Sequence, residues 1–346
     1  MINMQIPHEE QGLRERVGMV MPAWFGPEVP EEQIAALLRE TLDGAQRLAR
    51  PDRILLVVDG VPRVAEVGRR LQAEWEQELG EPFVLLELDD NIGKGGAVAA
   101  GLARLCAADP PAWCLTRDAD GDHRVTDMPR LVALGDQIAA EQATDLVAVV
   151  GGRQSLYRPM NWLRGELEHW LDEVATEGYK FIRARQGAVL NTQYWAAYGA
   201  YPDLESGCKC FSAAAARLAA ESLEREARRY PELDLLQWAC EIIPLTEVAL
   251  AGGVIGEMRR LTYEGQPVSG YEGESSITLY AHQMVWLARR LELTRPQAAQ
   301  LLDNALLRRP LWSDARGRQI ALTIRRQTLD GLPGEAPEEV LAPTWC

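Results

Sequence analysis

The sequence predicts an α/β protein with a mixed, mostly parallel sheet flanked by helices, followed by a helical extension at the C-terminus. Short apolar runs rich in Val, Leu and Ile alternate with longer helical patterns between residues 17 and 150. Continuous apolar strands separated by helices are typical of parallel sheets that are buried on both faces. From Ile277 onward the pattern is wholly helical, which predicts the extension.

The elements follow one another in a regular order. The predicted strands of the first half are Val17–Met21, Arg53–Asp59, Phe83–Leu88, Ala112–Arg117 and Asp145–Val150. The helical patterns between them are Glu31–Arg50, Val64–Leu79, Gly95–Ala107 and Asp127–Glu141. After Gly151 the sequence predicts a long amphipathic helix, a short strand and a further helix, at Asn161–Glu177, Ser206–Phe211 and Ala213–Arg229. Thr294 to Gln297 fits a capping box with an early proline, which opens a helix.

Composition and charge exclude several classes of protein. The 346 residues include 36 basic and 51 acidic side chains, for a net charge of -15, which argues against nucleic acid or an anionic membrane as the main partner. No apolar run approaches the roughly 18 residues that a membrane-spanning helix needs, and the N-terminus lacks the apolar region of a signal peptide. The six cysteines are too few for a disulfide scaffold. We therefore expect a cytoplasmic protein with reduced thiols.

Three alternate carboxylates follow the fourth predicted strand. Asp118, Asp120 and Asp122 lie in the segment DADGDH, directly after an apolar run. In open parallel sheets, ligands bind outside the carboxyl ends of the strands. Carboxylate oxygens are the ligands that Mg²⁺ and Mn²⁺ prefer, and alternate positions in an extended segment can converge on one cation. The pattern thus predicts a divalent-cation site, with a solvated acidic turn as the alternative.

A glycine-rich loop with one lysine follows the third predicted strand. It contains Asn91, Gly93 and Lys94 and leads into a helix. Glycines let the backbone approach a ligand closely, a helix N-terminus presents free N–H groups to an anion, and a lysine adds a compact positive charge. The loop lacks the spacing of a Walker A motif. It indicates a phosphate site, with an ordinary strand-to-helix connection as the alternative.

Taken in order, these segments resemble the GT-A (Rossmann-like) glycosyltransferases of family 2, above all the polyprenyl-phosphate hexosyltransferases such as dolichyl-phosphate mannose synthase. The resemblance runs from Val17 to about Leu261. It implies that Pro22, which ends the first strand, lies beneath the nucleotide base and that Asp59 meets the base or ribose. The family's double aspartate and Gly-Ser tail are here replaced by Asp59-Gly60-Val61-Pro62. The loop NIGKGGA and the segment DADGDH match the family's glycine-lysine and DxD motifs.

The resemblance continues after the fifth strand. Arg153 and Arg164 correspond to two arginines that in the family would hold the diphosphate or the acceptor's phosphate. The segment from Asp203 to Phe211 resembles the family's D-x-x-[SC]-G-[FY]-[KR] motif, which places Lys209 among the residues that bind the donor.

By this resemblance the protein transfers a hexose from a nucleoside-diphosphate sugar, with inversion, to a small-molecule or polyprenyl-phosphate acceptor. Asp118, Asp120 and Asp122 would hold the Mg²⁺ or Mn²⁺ ion, which bridges the two phosphates as a Lewis acid. Lys94 and Arg153 would stabilise the leaving diphosphate. An alcohol acceptor needs a carboxylate base, for which Asp203 and Glu205 are the candidates, whereas a phosphate acceptor needs none.

The predicted domain organisation follows the same resemblance. A glycosyltransferase domain spans 15–265, with a nucleotide-sugar half at 15–125 and an acceptor half at 126–265. A helical region at 270–330 and a mobile tail at 331–346 follow, and Gly265–Tyr271 is a candidate lid over the donor. Two other functions stay open: a catalytically silent relative that binds nucleotide sugar as a subunit or sensor, and a sugar-1-phosphate nucleotidyltransferase. The sequence leaves the donor's base and sugar, the acceptor and the oligomeric state open.

Overall fold

The computed structural model describes residues 12–154, 161–195, 201–260 and 275–334. The chain divides into two compact units. The first comprises Met1–Ser155 and Asn191–Gly270, and the second comprises Leu156–Leu190 and Tyr271–Cys346. The domain boundaries expected from the sequence stay a prediction.

The sheet belongs to the first unit. Its strands are β1 Val17–Ala23, β2 Ile54–Asp59, β3 Val84–Leu88, β4 Trp113–Thr116, β5 Val147–Gly152, β6 Lys209–Ser212 and β7 Val254–Arg259. Among the described residues these seven strands form one sheet in the order β3-β2-β1-β4-β6-β5-β7. All neighbouring strands run parallel except β6, which is antiparallel to both β4 and β5. The predicted α/β fold with a mixed, mostly parallel sheet is confirmed.

The helices divide between the units. In the described part of the first unit they are α1 Glu31–Leu42, α2 Ala45–Leu48, α3 Pro62–Leu79, α4 Lys94–Cys106, α5 Met128–Gln142, α7 Ala213–Arg229, α8 Leu235–Trp238 and α9 Ile242–Leu250. The described helices of the second unit are α6 Trp162–Arg185, α10 Ser275–Arg290, α11 Arg295–Leu306, α12 Pro310–Ser313 and α13 Ala315–Asp330. The helical C-terminal extension is therefore confirmed. None of these described helices combines the length and apolarity that crossing a bilayer requires.

Helices cover both faces of the sheet because successive side chains of a strand point to opposite sides. Met19 and Met21 of β1 are fully buried in a core shared with α1, α3 and α5. Val20, between them, faces α4, where Gly101 is so close that an added Cβ would touch its side chain. This two-sided burial explains why the strands read as continuous apolar runs in the sequence.

The second unit is a set of helices with a buried polar interior. Trp170 of α6 is fully buried, and its indole N–H donates to the carbonyl of Leu302, 3.1 Å away. Glu173 is also buried and pairs with the guanidinium groups of Arg308 and Arg309. At the start of α11, Thr294 and Gln297 form the predicted capping box.

Some boundaries differ from those expected. The helix predicted over Glu31–Arg50 ends at Leu42, because the chain turns through Gly44 with a φ of +74° before α2 begins. Helix α6 continues to Arg185, beyond the expected end at Glu177. The sequence reasoning also missed α9 and β7. The apolar run Val248–Ile255 contains the end of α9 and the start of β7, so its hydrophobicity does not indicate the turn between the two elements.

Candidate active site

Most of the predicted site residues lie at one edge of the sheet. Pro22 is the penultimate residue of β1, Asp59 is the last residue of β2, and Asp118 lies just after β4. Because β6 is antiparallel, its first residue lies at the edge where the parallel strands end, and Lys209 is paired with Thr116 of β4. The antiparallel direction of β6 thus brings its first residue to the same edge of the sheet as the end of β4, although the two are about ninety residues apart in the sequence.

The ammonium group of Lys94 lies at the centre of this edge. Its Nζ is 2.7 Å from Asp118 Oδ1 and 2.7 Å from Glu241 Oε1. Burial acts to raise the pKa of Asp118, but the charge of Lys94 lowers it below its usual range. The pKa of Glu241 is likewise lowered by Lys94 and Lys209 in spite of its burial. Lys94 therefore joins two ionised carboxylates around a cavity of about 10 Å³, which is room for one water molecule.

The loop that precedes Lys94 is held in place by polar side chains and by close packing. Asp59 Oδ1 accepts a hydrogen bond of 2.8 Å from the N–H of Ile92, and Asn91 Oδ1 accepts one of 3.0 Å from the N–H of Gly93. Gly93 has a φ of +86°, and a Cβ there would lie 2.7 Å from the carbonyl oxygen of Leu236. Asp59 is fully buried, and its burial raises its pKa. In the structure Asp59 fixes the loop, and its contact with a nucleotide stays a prediction.

The acidic loop, Asp118 to Asp122, is crowded with negative charge. Asp120 Oδ1 accepts a hydrogen bond of 3.1 Å from the N–H of Asp122, whose side chain is buried. Burial, together with the charges of Asp118 and Asp122, raises the pKa of Asp120 to about 7. Repulsion of this kind is what a bound cation relieves, and carboxylates suit Mg²⁺ or Mn²⁺. Within the described residues, no three acidic, histidine or cysteine side chains are arranged to hold a metal ion. The metal site stays a prediction.

Two buried basic residues support the acidic loop. His123 Nδ1 accepts a hydrogen bond of 2.9 Å from the backbone N–H of Asp118, and burial, followed by the charge of Arg260, holds its pKa well below the usual value. The histidine is therefore neutral and orients the loop. Arg117 is fully buried and donates to the carbonyl of His123, while its Nε and Nη1 have no hydrogen-bond partner in the described structure. Burial lowers the pKa of Arg117 to about 10.

A second ionic pair joins two predicted site residues. Arg153, which follows β5, donates to Asp203 through its backbone N–H and through Nε, both 2.8 Å from Oδ2, and its Nη2 reaches Oδ1. Both side chains are buried. Burial acts to raise the pKa of Asp203, but Arg153 lowers it to about 2. The sequence placed both residues in the site without indicating that they bind each other.

Glu257 in β7 was missed by the sequence reasoning. It is fully buried, and its Oε1 accepts a hydrogen bond of 3.2 Å from the N–H of Asp203. Burial and the charge of Asp203 raise the pKa of Glu257 to about 7. A Cβ at Gly152 would press on Glu257 Oε1, so a larger residue there would require the glutamate side chain to move. A glutamate that follows the apolar residues Val254 and Ile255 in a short strand is the signal that could have identified it.

The remaining predicted residues are placed as follows. Lys209 is buried, and its Nζ donates to the carbonyl of Ser206. Burial lowers the pKa of Lys209, although the charges of Glu241 and Glu205 act to raise it. Glu205 is half-buried. Arg164 lies on α6 in the second unit, where its Nε is 2.9 Å from Glu168 Oε1. The candidate lid at Gly265–Tyr271 lies outside the described residues. The roles assigned to all of these residues stay predictions.

Comparisons with known proteins find similarity in structure but not in sequence. No protein-family model matches the chain, and no curated protein matches its sequence. The crystal structure of S. aureus TarS 1-349 aligns with 92% of this chain and 81% of that one, at 13% identity and a TM-score of 0.44. Because both the identity and the TM-score are low, this similarity carries no conclusion about function.

Proposed function

We propose that this protein is a metal-dependent hexosyltransferase that uses a nucleoside-diphosphate sugar as donor. The observation that carries the proposal is the ion pair between Lys94, at the start of a helix, and Asp118, at the start of the acidic loop. A phosphate-binding lysine and a cation-binding carboxylate are the two groups that a diphosphate leaving group requires. Their meeting at the carboxyl edge of a mostly parallel sheet agrees with the sequence resemblance to GT-A family 2 enzymes.

The chain's own residues would act mainly on the leaving diphosphate. Asp118, Asp120 and Asp122 would hold the divalent cation, which supplies Lewis-acid stabilisation of the phosphates when bound. Lys94 would shift from Asp118 toward the phosphate oxygens, because a cation on the carboxylate would repel it. The buried, incompletely hydrogen-bonded guanidinium of Arg117 adds a fixed positive charge behind the acidic loop.

On the acceptor side, the two candidate bases differ in availability. Asp203 has a pKa of about 2 and is committed to Arg153, so it is a weak base. Glu205 is less buried than Asp203 and lies two residues further along the same loop. We assign proton removal from an alcohol acceptor to Glu205, and the positioning of Arg153 to Asp203. With a phosphate acceptor, neither would act as a base.

The test is a thermal-shift panel of UDP, GDP and their hexose conjugates, each with Mn²⁺ and with a chelator. A ligand at 100 times its Kd adds about 2.7 kcal/mol of stability, which raises the melting temperature by roughly 5 °C for a domain of this size. A metal-dependent shift with one nucleotide supports the proposal. No shift with any of them overturns it. Hydrolysis of the donor by the purified protein then separates an enzyme from a silent nucleotide-sugar-binding relative.

A further inference from the structure

Two cysteines bring the end of helix α4 together with strand β4. Cys106 is the last residue of α4, and Cys114 lies within β4, where it is paired with Gly18 of β1. Paired residues point to the same face of a sheet, and Gly18 shares its face with Val20, which lies under α4. The side chain of Leu105 comes so close to Gly18 that an added Cβ would lie 3.0 Å from its Cδ1. The end of α4 therefore lies over the part of the sheet that holds Cys114.

The two thiols are in contact but differ in their access to solvent. The thiol of Cys114 forms a hydrogen bond with that of Cys106. Cys114 is fully buried, whereas Cys106 is half-buried and is followed by exposed residues at 107–109. A small reagent from solvent therefore reaches Cys106 first, and Cys114 lies directly behind it.

The surroundings of the two thiols favour a negative charge on Cys106. The hydrogen bond from Cys114 lowers the pKa of the Cys106 thiol, and the charge of Arg217 on α7 acts in the same direction, although burial opposes both. The same hydrogen bond, together with burial, raises the pKa of Cys114 well above its usual value. The thiolate is the reactive form of cysteine. Cys106 is therefore the nucleophile of the pair, and Cys114 keeps its proton.

The other cysteines of the described residues lack this combination. Cys208 and Cys210 are fully buried in the core on the opposite face of the sheet, and Cys240 is also buried. Burial raises the pKa of all three thiols. Buried protonated thiols are inert. They thus provide internal standards against which the reactivity of Cys106 can be measured.

We propose that Cys106 and Cys114 form a modification site at which a hydroperoxide oxidises the two thiols to a reversible disulfide. The proposal rests on the contact between the thiols and on the exposure of Cys106, and it is independent of the proposed transferase activity. Closing the bond brings the sulfur atoms to about 2 Å from each other. The end of a helix shifts more easily than its interior, so Cys106, at the end of α4, is the residue that moves.

The reaction has two steps and consumes one molecule of peroxide. The Cys106 thiolate attacks one peroxide oxygen, so that an S–O bond forms, the O–O bond breaks and hydroxide leaves to become water. The Cys114 sulfur then attacks the sulfur of this sulfenic acid, the S–S bond forms, and the S–O bond breaks. The departing hydroxide takes the proton of Cys114 and leaves as a second water. The two thiols lose two electrons, and the peroxide gains them.

The experiment treats the reduced full chain with a small excess of hydrogen peroxide at neutral pH, unfolds it, alkylates the remaining thiols and digests it with trypsin. Cleavage after Arg104 and Arg117 gives a peptide, 105–117, that contains Cys106 and Cys114 and no other cysteine. We expect this peptide to become two hydrogens lighter and to resist alkylation, and dithiothreitol to reverse both changes. The peptides with Cys208, Cys210 and Cys240 should be alkylated fully. Full alkylation of peptide 105–117, or a sulfinic acid at Cys106 without a cross-link, overturns the proposal.

Variants assign the two roles. Cys114→Ala should leave a sulfenic acid on Cys106 that dimedone traps, and Cys106→Ser should leave Cys114 reduced, because it is buried. Cys210→Ala, an equally buried change on the opposite face, is the matched control and should form the cross-link as the original protein does. Oxidation of Cys114 in Cys106→Ser at the original rate would contradict the assigned order. Donor-induced thermal shifts should be the same in reduced Cys106→Ser and in the original protein, so failure here is distinct from failure of the proposed transferase.

Discussion

Replacing Asp203 with asparagine removes the negative charge from the most completely buried ion pair of the candidate active site. The side chains of Arg153 and Asp203 are only 5% and 7% exposed. Asparagine preserves the shape and can still accept one hydrogen bond from Arg153. The guanidinium, however, would then be a buried charge without a counterion, which proteins tolerate poorly.

The size of the effect follows from the carboxyl pKa. A pKa lowered from 3.8 to about 2 by folding corresponds to roughly 2 kcal/mol of native-state stabilisation at pH 7. Because the pKa is lowered, this stabilisation is complete above the unfolded-state value near 4 and is lost as the pH falls toward 2. Leaving the arginine unpaired raises the expected cost of Asp203→Asn to about 3–5 kcal/mol at neutral pH.

The assay is urea unfolding at pH 7 followed by tryptophan fluorescence, with the melting temperature as a second measure. Asp203→Asn should lower the melting temperature by roughly 5 °C or more. Glu87→Gln, in the exposed pair with Arg69, is the control and should cost about 1 kcal/mol or less. The double variant Arg153→Met with Asp203→Asn should recover part of the loss, since it removes the unpaired charge. A cost below about 1 kcal/mol for Asp203→Asn would refute the reasoning.

Three further predictions concern the acidic loop, β7 and the glycine-lysine loop. Asp120→Ala should abolish transfer from the donor with little loss of stability, measured as kcat and melting temperature; a kcat near the original value would contradict the metal assignment. Burial raises the pKa of Glu257 to about 7, so between about pH 4.5 and pH 7 the unfolded chain loses this proton while the folded protein keeps it, and the free energy of unfolding falls as the pH rises. Glu257→Gln should therefore gain up to about 3 kcal/mol relative to the original protein between pH 5 and pH 8, and equal pH dependence of unfolding in the two proteins would argue against a buried proton there. Gly93→Ala should lower the free energy of unfolding by about 1–3 kcal/mol and weaken nucleotide binding, because the added Cβ meets the carbonyl of Leu236. The control is Gly80→Ala, at a φ of +87° in open space, which should cost about 1 kcal/mol. Equal losses of stability in the two variants would show that the close contact at Gly93 is unimportant.

The sequence was sufficient for the features that depend on local pattern. Alternation of apolar runs and helical periods predicts β1 to β5 and the helices between them, because burial on both sides of a sheet requires continuous apolar strands. The same rule places Asp59, Lys94 and Asp118 at one edge, since parallel strands all end on the same side. Helix α7 was predicted with its observed bounds, Ala213–Arg229, from its alanine-rich sequence, and the structure shows that the Ser212 side chain caps it by accepting a hydrogen bond from the N–H of Ala215.

The tertiary structure decided what depends on strand direction and on distant partners. Nothing in its four residues shows that β6 runs antiparallel, yet that direction brings Lys209 and the Asp203 loop to the edge where Asp118 lies. The pairing of Arg153 with Asp203 joins residues fifty positions apart, and the proximity of Glu257 to Asp203 depends on where β7 adds to the sheet. Local periodicity reports which side chains are buried. Only the folding of the chain back on itself determines which charged side chains are buried together. The pKa shifts follow from that arrangement.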